Sequence, residues 1–524
     1  MSKKLLARIG LLVIVLFGVT ILTFFYTNLS PVDAAEALAV RRYNRPTPQQ
    51  VELVREELGL DQPILQQHGS WLWNALHGDF GNSYNTGRPI VEELSASIRP
   101  TLVMAAMALL FATLLSIPLG VLSASRKGGL ADRSIYLFGI ICMSLPNYWI
   151  GFMLLLAFAV YIPVFSIMGA DSLKDFIAGA ELRLYDCGQR HGGKRVLHPR
   201  AGVHAGHCVG SQRHHYYQCV CTAHRRHFRS GQFYRGLCER ISKPAEPEGR
   251  RPMIRKIMHR PQAVLGLAMM LLVFLVMLLA PVFAPNDPMQ LNVAHSFAPP
   301  DAQYPLGTDE LGRCILSRLI YGARTSLSIA LPTLLLLAVI STVVATLCAY
   351  TGGVLDRIFE VVSNIFMAFP PFLVAITLVG LFESKAASIV LSIVIAMWVW
   401  NARVVRTHVL RERNQPYVIT CRMSGCSELR IVFRHIIPNI LPHLLVLYST
   451  GLSSIIIMIS SYAFLGLGLE TGTAEWGAMF VNANKLMFSH PQFLVYPGLC
   501  ILFAAAGFNL FGEALRDICA PREG

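Results

Sequence analysis

Charge is scarce in this chain. Lys, Arg, Asp and Glu make up 15% of its 524 residues, whereas soluble globular chains carry about 25%. The deficit excludes an ordinary soluble domain. With 54% hydrophobic residues and recurring apolar runs near twenty residues long, the chain reads as an all-α integral membrane protein. Catalytic signatures are missing as well. There is no Gly-x4-Gly-Lys-Ser/Thr loop to cradle the phosphates of ATP, no Gly-x-Ser-x-Gly elbow and no His-Glu-x-x-His zinc motif. Acids and histidines are nearly absent from the apolar runs, which disfavours a proton relay through the bilayer. Cys142, Cys348 and Cys500 lie singly in apolar surroundings and read as small core residues, not as a disulfide framework. The expectation is a membrane subunit without catalytic residues, cofactor or resident metal.

What is present begins with Lys3, Lys4 and Arg8 before an apolar run from Ile9 to about Thr27. The run is long and no small-x-small cleavage site closes it, so it reads as a retained first span with the N-terminus inside. In the polar stretch at about 29–99, Thr47-Pro48-Gln49-Gln50 has the form of a helix start, with Thr as N-cap, Pro at N1 and Gln at N3. Trp71, Trp73, Leu76 and Phe80 suggest a segment at the membrane interface. Two further spans are expected at about 101–122 and 135–162, with Pro118 and Pro146 inside them and Arg126, Lys127 and Arg133 in the inner loop between.

The pattern then breaks. Residues 183–251 hold fourteen Lys/Arg against four Asp/Glu, five of the twelve cysteines and eight of the sixteen histidines, with no apolar run and no strand or helix period. His214, His215, Cys219, Cys221, His224 and His227 invite a zinc site, but their spacing matches no structural zinc pattern. A basic tail for nucleic acid is weaker still. The stretch reads as foreign or out of frame. Topology agrees: three spans leave the chain outside, yet Arg250, Arg251, Arg255, Lys256 and Arg260 precede the next span and belong inside.

A second region starts afresh near Met253. Apolar runs at about 263–284, 327–350, 359–382, 386–402, 444–466 and 492–513 predict six spans. Gly352, Gly353, Asp356 and Arg357 mark a first inner loop, and Arg403, Arg406, Arg411, Arg413, Arg422, Arg430 and Arg434 crowd a second. External segments are expected at 305–326 and 464–480. Within the second inner loop, residues 417–442 are too polar to span and too apolar for a plain loop. They predict a short helix-turn-helix, turned at Gly425 and stopped by Pro438 and Pro442 where the next span begins. On composition alone an ordinary positive-inside loop is the favoured account of the segment.

At this loop the sequence resembles the permease subunits of binding-protein-dependent ABC importers. Gly425, His435, Pro438 and Asn439 stand at positions of that family's signature, while Ile419, Thr420 and Cys421 replace its Glu-Ala-Ala. Leu306-Gly307-Thr308-Asp309-Glu310-Leu311-Gly312-Arg313, Ser317-Arg318, Phe464-Leu465-Gly466-Leu467-Gly468, Glu475-Trp476-Gly477 and Leu515-Arg516-Asp517 resemble the C-type permease of the dipeptide, oligopeptide and nickel importers, with Cys314 where an Asp is usual. The 508–517 stretch and the form of 473–477 lean to the nickel or metal-opine branch. Residues 1 to about 180 resemble the partner B-type permease through Gly59-Leu60-Asp61-Gln62-Pro63, Trp71-Leu72-Trp73, Gly78-Asp79-Phe80-Gly81 and Pro146-Asn147-Tyr148-Trp149.

The resemblance implies a type I importer bundle, with about three spans in the first part and six in the second. It divides the chain into a truncated B-type part (1–182), an aberrant linker (183–252) and a C-type permease (253–524). It implies an ATPase-coupling role for Arg422, Gly425, Arg430, Arg434, His435 and Pro438. The external motifs carry Gly307, Thr308, Asp309, Gly312, Arg313, Glu475, Trp476 and Gly477. Implied partners are two separate ABC ATPases, an external substrate-binding protein, an intact B-type permease and the lipid of a bacterial inner membrane. The implied cargo is nickel, free or chelated, or di- and oligopeptides. Two rival readings are a fusion remnant that inserts but does not pump, and a membrane-bound metal sensor built on the His/Cys stretch.

Overall fold

The structure, a computed structural model, describes residues 3–161 and 258–519 apart from short breaks at 30–32, 44, 84–85, 383–384, 471, 482–485 and 487–488. The basic linker and the His/Cys zinc question therefore lie outside the described residues. The chain divides into two compact units, one of residues 1–156 with 260–524 and one of residues 157–259. Of the second, only 157–161, within a π-helical turn, and 258–259 are described.

Among the described residues there is no strand, only two isolated bridges, at Asn82 with Pro89 and at Thr308 with Cys314. The first part comprises α1 (Lys3–Leu29), α2 (Ala34–Tyr43), α3 (Pro48–Glu57), α4 (Ile64–Leu76), α5 (Ile90–Ser125), α6 (Leu130–Met143) and α7 (Asn147–Leu155). The cap on α3 is as expected: the Gln50 amide donates to Thr47 Oγ1 at 3.4 Å, and the Thr47 amide donates back to Gln50 Oε1 at 2.9 Å. The region after the linker holds α8 (Pro261–Leu278), α9 (Ala280–Phe283), α10 (Ile315–Thr351), α11 (Gly353–Ala368), α12 (Pro371–Leu381), α13 (Lys385–Arg413), α14 (Pro416–Met423), α15 (Glu428–Ile431), α16 (Ile437–Tyr462) and α17 (Gln492–Cys519).

Among the described residues six helical stretches are long and apolar enough to cross a membrane: α5, α8, α10, α13, the run Glu428–Leu467 and α17. Two bent pairs, α6 with α7 and α11 with α12, bring the count to eight, and α1 adds a shorter apolar stretch, Ile9–Phe25. The three-plus-six division of apolar segments is therefore present, but two expected spans are not straight. The chain bends by 104° between α6 and α7 and by 79° between α11 and α12. Pro146 caps α7 instead of lying inside a span, and Pro370 and Pro371 open α12. A proline drives the preceding residue into extended backbone, here Phe369 at ψ 125°, and so breaks the helix. Pro118, in contrast, is carried inside α5.

Two expected loops also prove helical. α13 continues past 402 to Arg413, so Arg403, Arg406, Arg411 and Arg413 stand on a helix and not in a loop. Their side chains explain it. Arg406 forks onto Asp356 at 2.6 and 2.8 Å, Arg403 Nε donates to Ser363 at 3.1 Å, and Arg413 donates to the Ala349 carbonyl at 2.8 Å. These pairings fasten the inner ends of α10, α11 and α13. On the other side, only 305–314 of the expected external segment 305–326 is loop, because α10 begins at Ile315.

The main core gathers apolar side chains of α8, α10, α13, α16 and α17, including Leu327, Ile393, Ile456 and Phe508, all nearly fully buried. The first part contributes to it. Trp149 is buried there and donates its indole N–H to the Leu494 carbonyl at 2.8 Å, while Tyr148 stacks on Phe464 with centroids 4.5 Å apart. A second cluster, with Val405, Val409, Val418, Ile431, Ile436 and Ile440, sits at the inner end under α14 and α15.

Candidate functional site: an inner basic loop and an external clamp

The inner loop is built on Val418, Ile431 and Ile436, each 0% exposed, which root it in the second cluster. α14 ends at Met423. The amide of Gly425 donates to the Arg422 carbonyl and that of Cys426 to the Cys421 carbonyl, both at 3.1 Å, with Gly425 at φ +77°. This double return is a Schellman closure, and the left-handed backbone it requires is why glycine stands at 425. The chain re-enters helix at Glu428.

Here the expectation about Pro438 and Pro442 fails. Neither stops the helix, which continues from Glu428 past both prolines to Tyr462 and kinks only beyond that, at Gly466 (φ +81°). The turn Val432–Ile436 is π-helical, so the Ile437 amide reaches back five residues to Val432. The wider turn absorbs the misfit that Pro438 would impose on a regular ladder.

Three residues of the loop meet groups that no short-range pattern connects to them. Arg422 Nε lies 3.2 Å from Glu428 Oε1, and Arg422 donates to the Tyr350 hydroxyl at 3.1 Å, which in turn bonds Glu428. His435 Nε2 lies 3.9 Å from Cys421 Sγ. Tyr417 donates to Glu412 at 2.6 Å and accepts from Asn439 at 2.8 Å. Arg430, Arg434 and Pro438 face outward. Beside them Ile419, Met423, Leu429 and Phe433 are exposed at 48, 84, 72 and 67%. The loop thus presents an apolar surface edged with arginines, behind which a cavity of about 610 Å³ opens between α10 and the loop, lined in part by Tyr350, Arg413, Arg422 and Phe433.

The external motif residues form a clamp between two loops. Thr308 is buried; its hydroxyl bonds the His295 carbonyl and accepts from the Ala298 amide at 2.8 Å. Asp309 takes the amides of Leu311 and Arg313 at 2.9 Å and the Arg313 guanidinium at 2.7 Å. Arg318, 4% exposed, lies 3.7 Å from Asp309 and reaches the Gly472 and Thr473 carbonyls at 3.0 and 3.4 Å. From the second loop, Trp476 donates to the Leu319 carbonyl at 2.9 Å, and Glu475 accepts from Ser326 Oγ at 2.9 Å and the Ala478 amide at 2.7 Å. Gly307 and Gly477 are close approaches: a Cβ would fall 2.6 Å from the Ala298 oxygen and 2.5 Å from Ser460 Cα, respectively. These residues spend their polar groups on one another, which makes the clamp a fixed structural lock.

Burial raises Glu475 above the usual carboxylate range, against the bonds from Gly477, Ala478 and Ser326 that lower it. A raised folded value means that the folded state holds the proton more tightly. The associated stability is present at low pH and lost as pH rises through the folded value. Glu475→Gln keeps the shape and cannot ionise. Thermal unfolding of solubilised protein should show the wild type losing stability with rising pH and the variant following a flatter curve; parallel curves would contradict the assignment.

The pattern of the family described as "Binding-protein-dependent transport system inner membrane component" matches residues 341–523, which include the inner loop. "N-terminal TM domain of oligopeptide transport permease C" matches 251–300, and "Binding-prot-dependent transport system membrane comp, N-term" matches 1–105. The nickel transport system permease protein NikC of Escherichia coli K12 is 33% identical over 257 residues, 49% of this chain and 93% of the relative. The chain belongs to this permease family. The metal-staphylopine import system permease protein CntC of Staphylococcus aureus is 33% identical over 270 residues, 52% of this chain and 93% of that protein. The dipeptide transport system permease protein DppC of Haemophilus influenzae is 35% identical over 266 residues, 50% of this chain and 90% of that protein. The permease is accordingly a multi-pass inner membrane protein of an importer, and its relatives are permease subunits of transport systems. The Tyr350–Glu428–Arg422 cluster was not readable from sequence, since Tyr350 and Glu428 come together only when α10 and α15 pack.

Proposed function

We propose that this permease forms part of the substrate pathway of an ATP-driven importer for nickel, free or chelated, with di- or oligopeptides as the second cargo class. The loop 417–442 is its coupling element to separate ATPase subunits. The observation that carries the reading is the geometry of that loop. It is rigidly rooted by Val418, Ile431 and Ile436, yet it exposes Met423, Leu429 and Phe433 among Arg422, Arg430 and Arg434. A rooted loop with an exposed apolar face can pass force from a docked partner into α13 and α16, biasing a two-state bundle. The similarity to NikC and CntC supports a metal cargo. An external binding protein and two ATPases complete the assembly.

Phe433→Asp combined with Met423→Asp should weaken co-purification of the ATPase at least tenfold, about 1.4 kcal/mol, and abolish uptake while membrane insertion persists. Unchanged co-purification and uptake would sink the coupling role, as would unchanged uptake after replacing Arg422, Gly425 and Arg434.

A second reading has its own support. Among its described residues the first part offers three span-like segments, α1, α5 and the bent α6–α7 pair, and no second sequence of the 417–442 kind precedes the basic stretch. We infer a truncated B-type permease (1–182) joined through an aberrant linker (183–252) to a C-type permease (253–524), a gene pair turned into one reading frame. On this reading the chain transports only when an intact B-type permease is supplied separately. Radioactive nickel uptake with and without that subunit decides between the two: uptake by the chain with its ATPases and binding protein alone would overturn the remnant.

A further inference from the structure

The inner loop carries two cysteines: Cys421 ends the Ile419-Thr420-Cys421 run, and Cys426 follows the glycine of the turn. In the Schellman closure of α14, Cys421 is the third residue from the helix end and Cys426 the second residue beyond the cap. A side-chain contact between those two positions frequently accompanies such a turn. The Cys426 amide donates to the Cys421 carbonyl at 3.1 Å. Standard backbone dimensions then hold the two Cα atoms within about 7 Å, the limit over which a disulfide can close. Both thiols are free, both are half-buried, and both pack against the same apolar cluster as Val418 and Ile431. The third member is His435, with Nε2 at 3.9 Å from Cys421 Sγ.

We propose that Cys421, Cys426 and His435 form a thiol–disulfide exchange site at the turn of the inner loop, which low-molecular-weight disulfides such as oxidised glutathione close into an intraloop disulfide. His435 Nε2 takes the Cys421 proton. The Cys421 thiolate attacks one sulfur of the small disulfide, forming a mixed disulfide and releasing one thiolate. Cys426 loses its proton to solvent, its thiolate attacks the Cys421 sulfur, and a second small thiolate leaves. Two protein thiols are oxidised and one small disulfide is reduced to two thiols, so the step needs no other oxidant. On the cytoplasmic face such disulfides are transient and redox-sensing. No neighbouring atom lies within 4 Å of the place a Cβ on Gly425 would take, which leaves the turn open to a small reagent. A closed bridge pins the end of α14 to the start of α15. Any effect on transport rests on the coupling role proposed above, whereas the exchange chemistry does not.

The test uses the full detergent-purified chain without ATPase, so it stands or falls separately from that role. The protein is incubated in glutathione buffers of rising oxidised fraction, quenched with alkylating reagent, digested with trypsin and mapped by mass spectrometry. Cleavage after Arg413, Arg422 and Arg430 puts the two cysteines on different peptides, 414–422 and 423–430, so the bridge appears as a linked pair. The expected result is that pair, formed reversibly while buried Cys348 remains alkylatable on unfolding. Cys426→Ser should stop at the glutathione adduct on Cys421. His435→Gln should slow closure about tenfold or more at neutral pH, with the difference shrinking at alkaline pH. Glutathione on both cysteines without a link, links from either to other cysteines, or an unchanged rate in His435→Gln would overturn the proposal. The wild-type link needs no substitution, so a misfolded variant leaves that readout intact.

Discussion

Gly312→Ala is expected to prevent the external clamp from closing. Gly312 sits at φ +72°, and an added Cβ would lie 1.7 Å from the carbonyl oxygen of Asn292, inside any tolerable contact. That oxygen belongs to backbone, and the Asn292 amide is itself tied to the Leu311 carbonyl at 3.1 Å, so the neighbour cannot swing away. The loss should reach roughly 3 kcal/mol or more, the size associated with overpacking at a strained backbone position. It should be read as a lowered unfolding temperature and early proteolysis within 285–314. Gly425→Ala supplies the contrast. Its φ is +77°, but no atom lies within 4 Å of the added Cβ. Only the left-handed strain remains, about 1–2 kcal/mol. Equal losses at the two glycines would contradict the steric account.

Arg318→Met is the second large effect. The guanidinium is 4% exposed, 3.0 Å from the Gly472 carbonyl, 3.4 Å from the Thr473 and Pro288 carbonyls, and 3.7 Å from Asp309. Removing it strands those carbonyls and leaves Asp309 with Arg313 as its remaining cation. Breaking a buried pair from one side costs about 3–5 kcal/mol. Arg318→Lys should restore little of this, because a single ammonium cannot reproduce a planar fork that serves two loops at once. Arg260, in an exposed pair with Asp517 at 2.9 Å, is the control: its removal should cost at most about 1 kcal/mol. Thermal unfolding in detergent checks all three, and a Met variant as stable as wild type would show that the clamp is not held by Arg318.

Much of the inner loop was legible in the residues alone. A helix, a glycine turn and a second helix follow from Gly425 between two amphipathic stretches, and the turn is there. What misled was proline. Pro146, Pro370 and Pro371 break apolar runs that composition presents as continuous, while Pro118, Pro438 and Pro442 are accommodated inside helices. The difference lies in what surrounds the freed carbonyl: a π-turn before Pro438 takes up the misfit, and nothing in the local sequence announces it. The arginines of α13 misled in the same way. They looked like loop residues because charge seldom enters a span, yet Asp356, Ser363 and the Ala349 carbonyl give them partners along the helix.

By itself the sequence determined that this chain is an all-helical inner membrane permease, where its apolar segments lie, and that its inner loop turns at Gly425. Those properties follow from hydropathy, family motifs and turn chemistry, which act over a few residues at a time. Only the tertiary structure decided that the external motifs clasp one another, that Arg422 is held by Tyr350 and Glu428, and that Cys421, Cys426 and His435 share one small site. Such contacts join residues brought together by helix packing and by a six-residue turn closure. They depend on distances in space that no periodicity in the chain encodes.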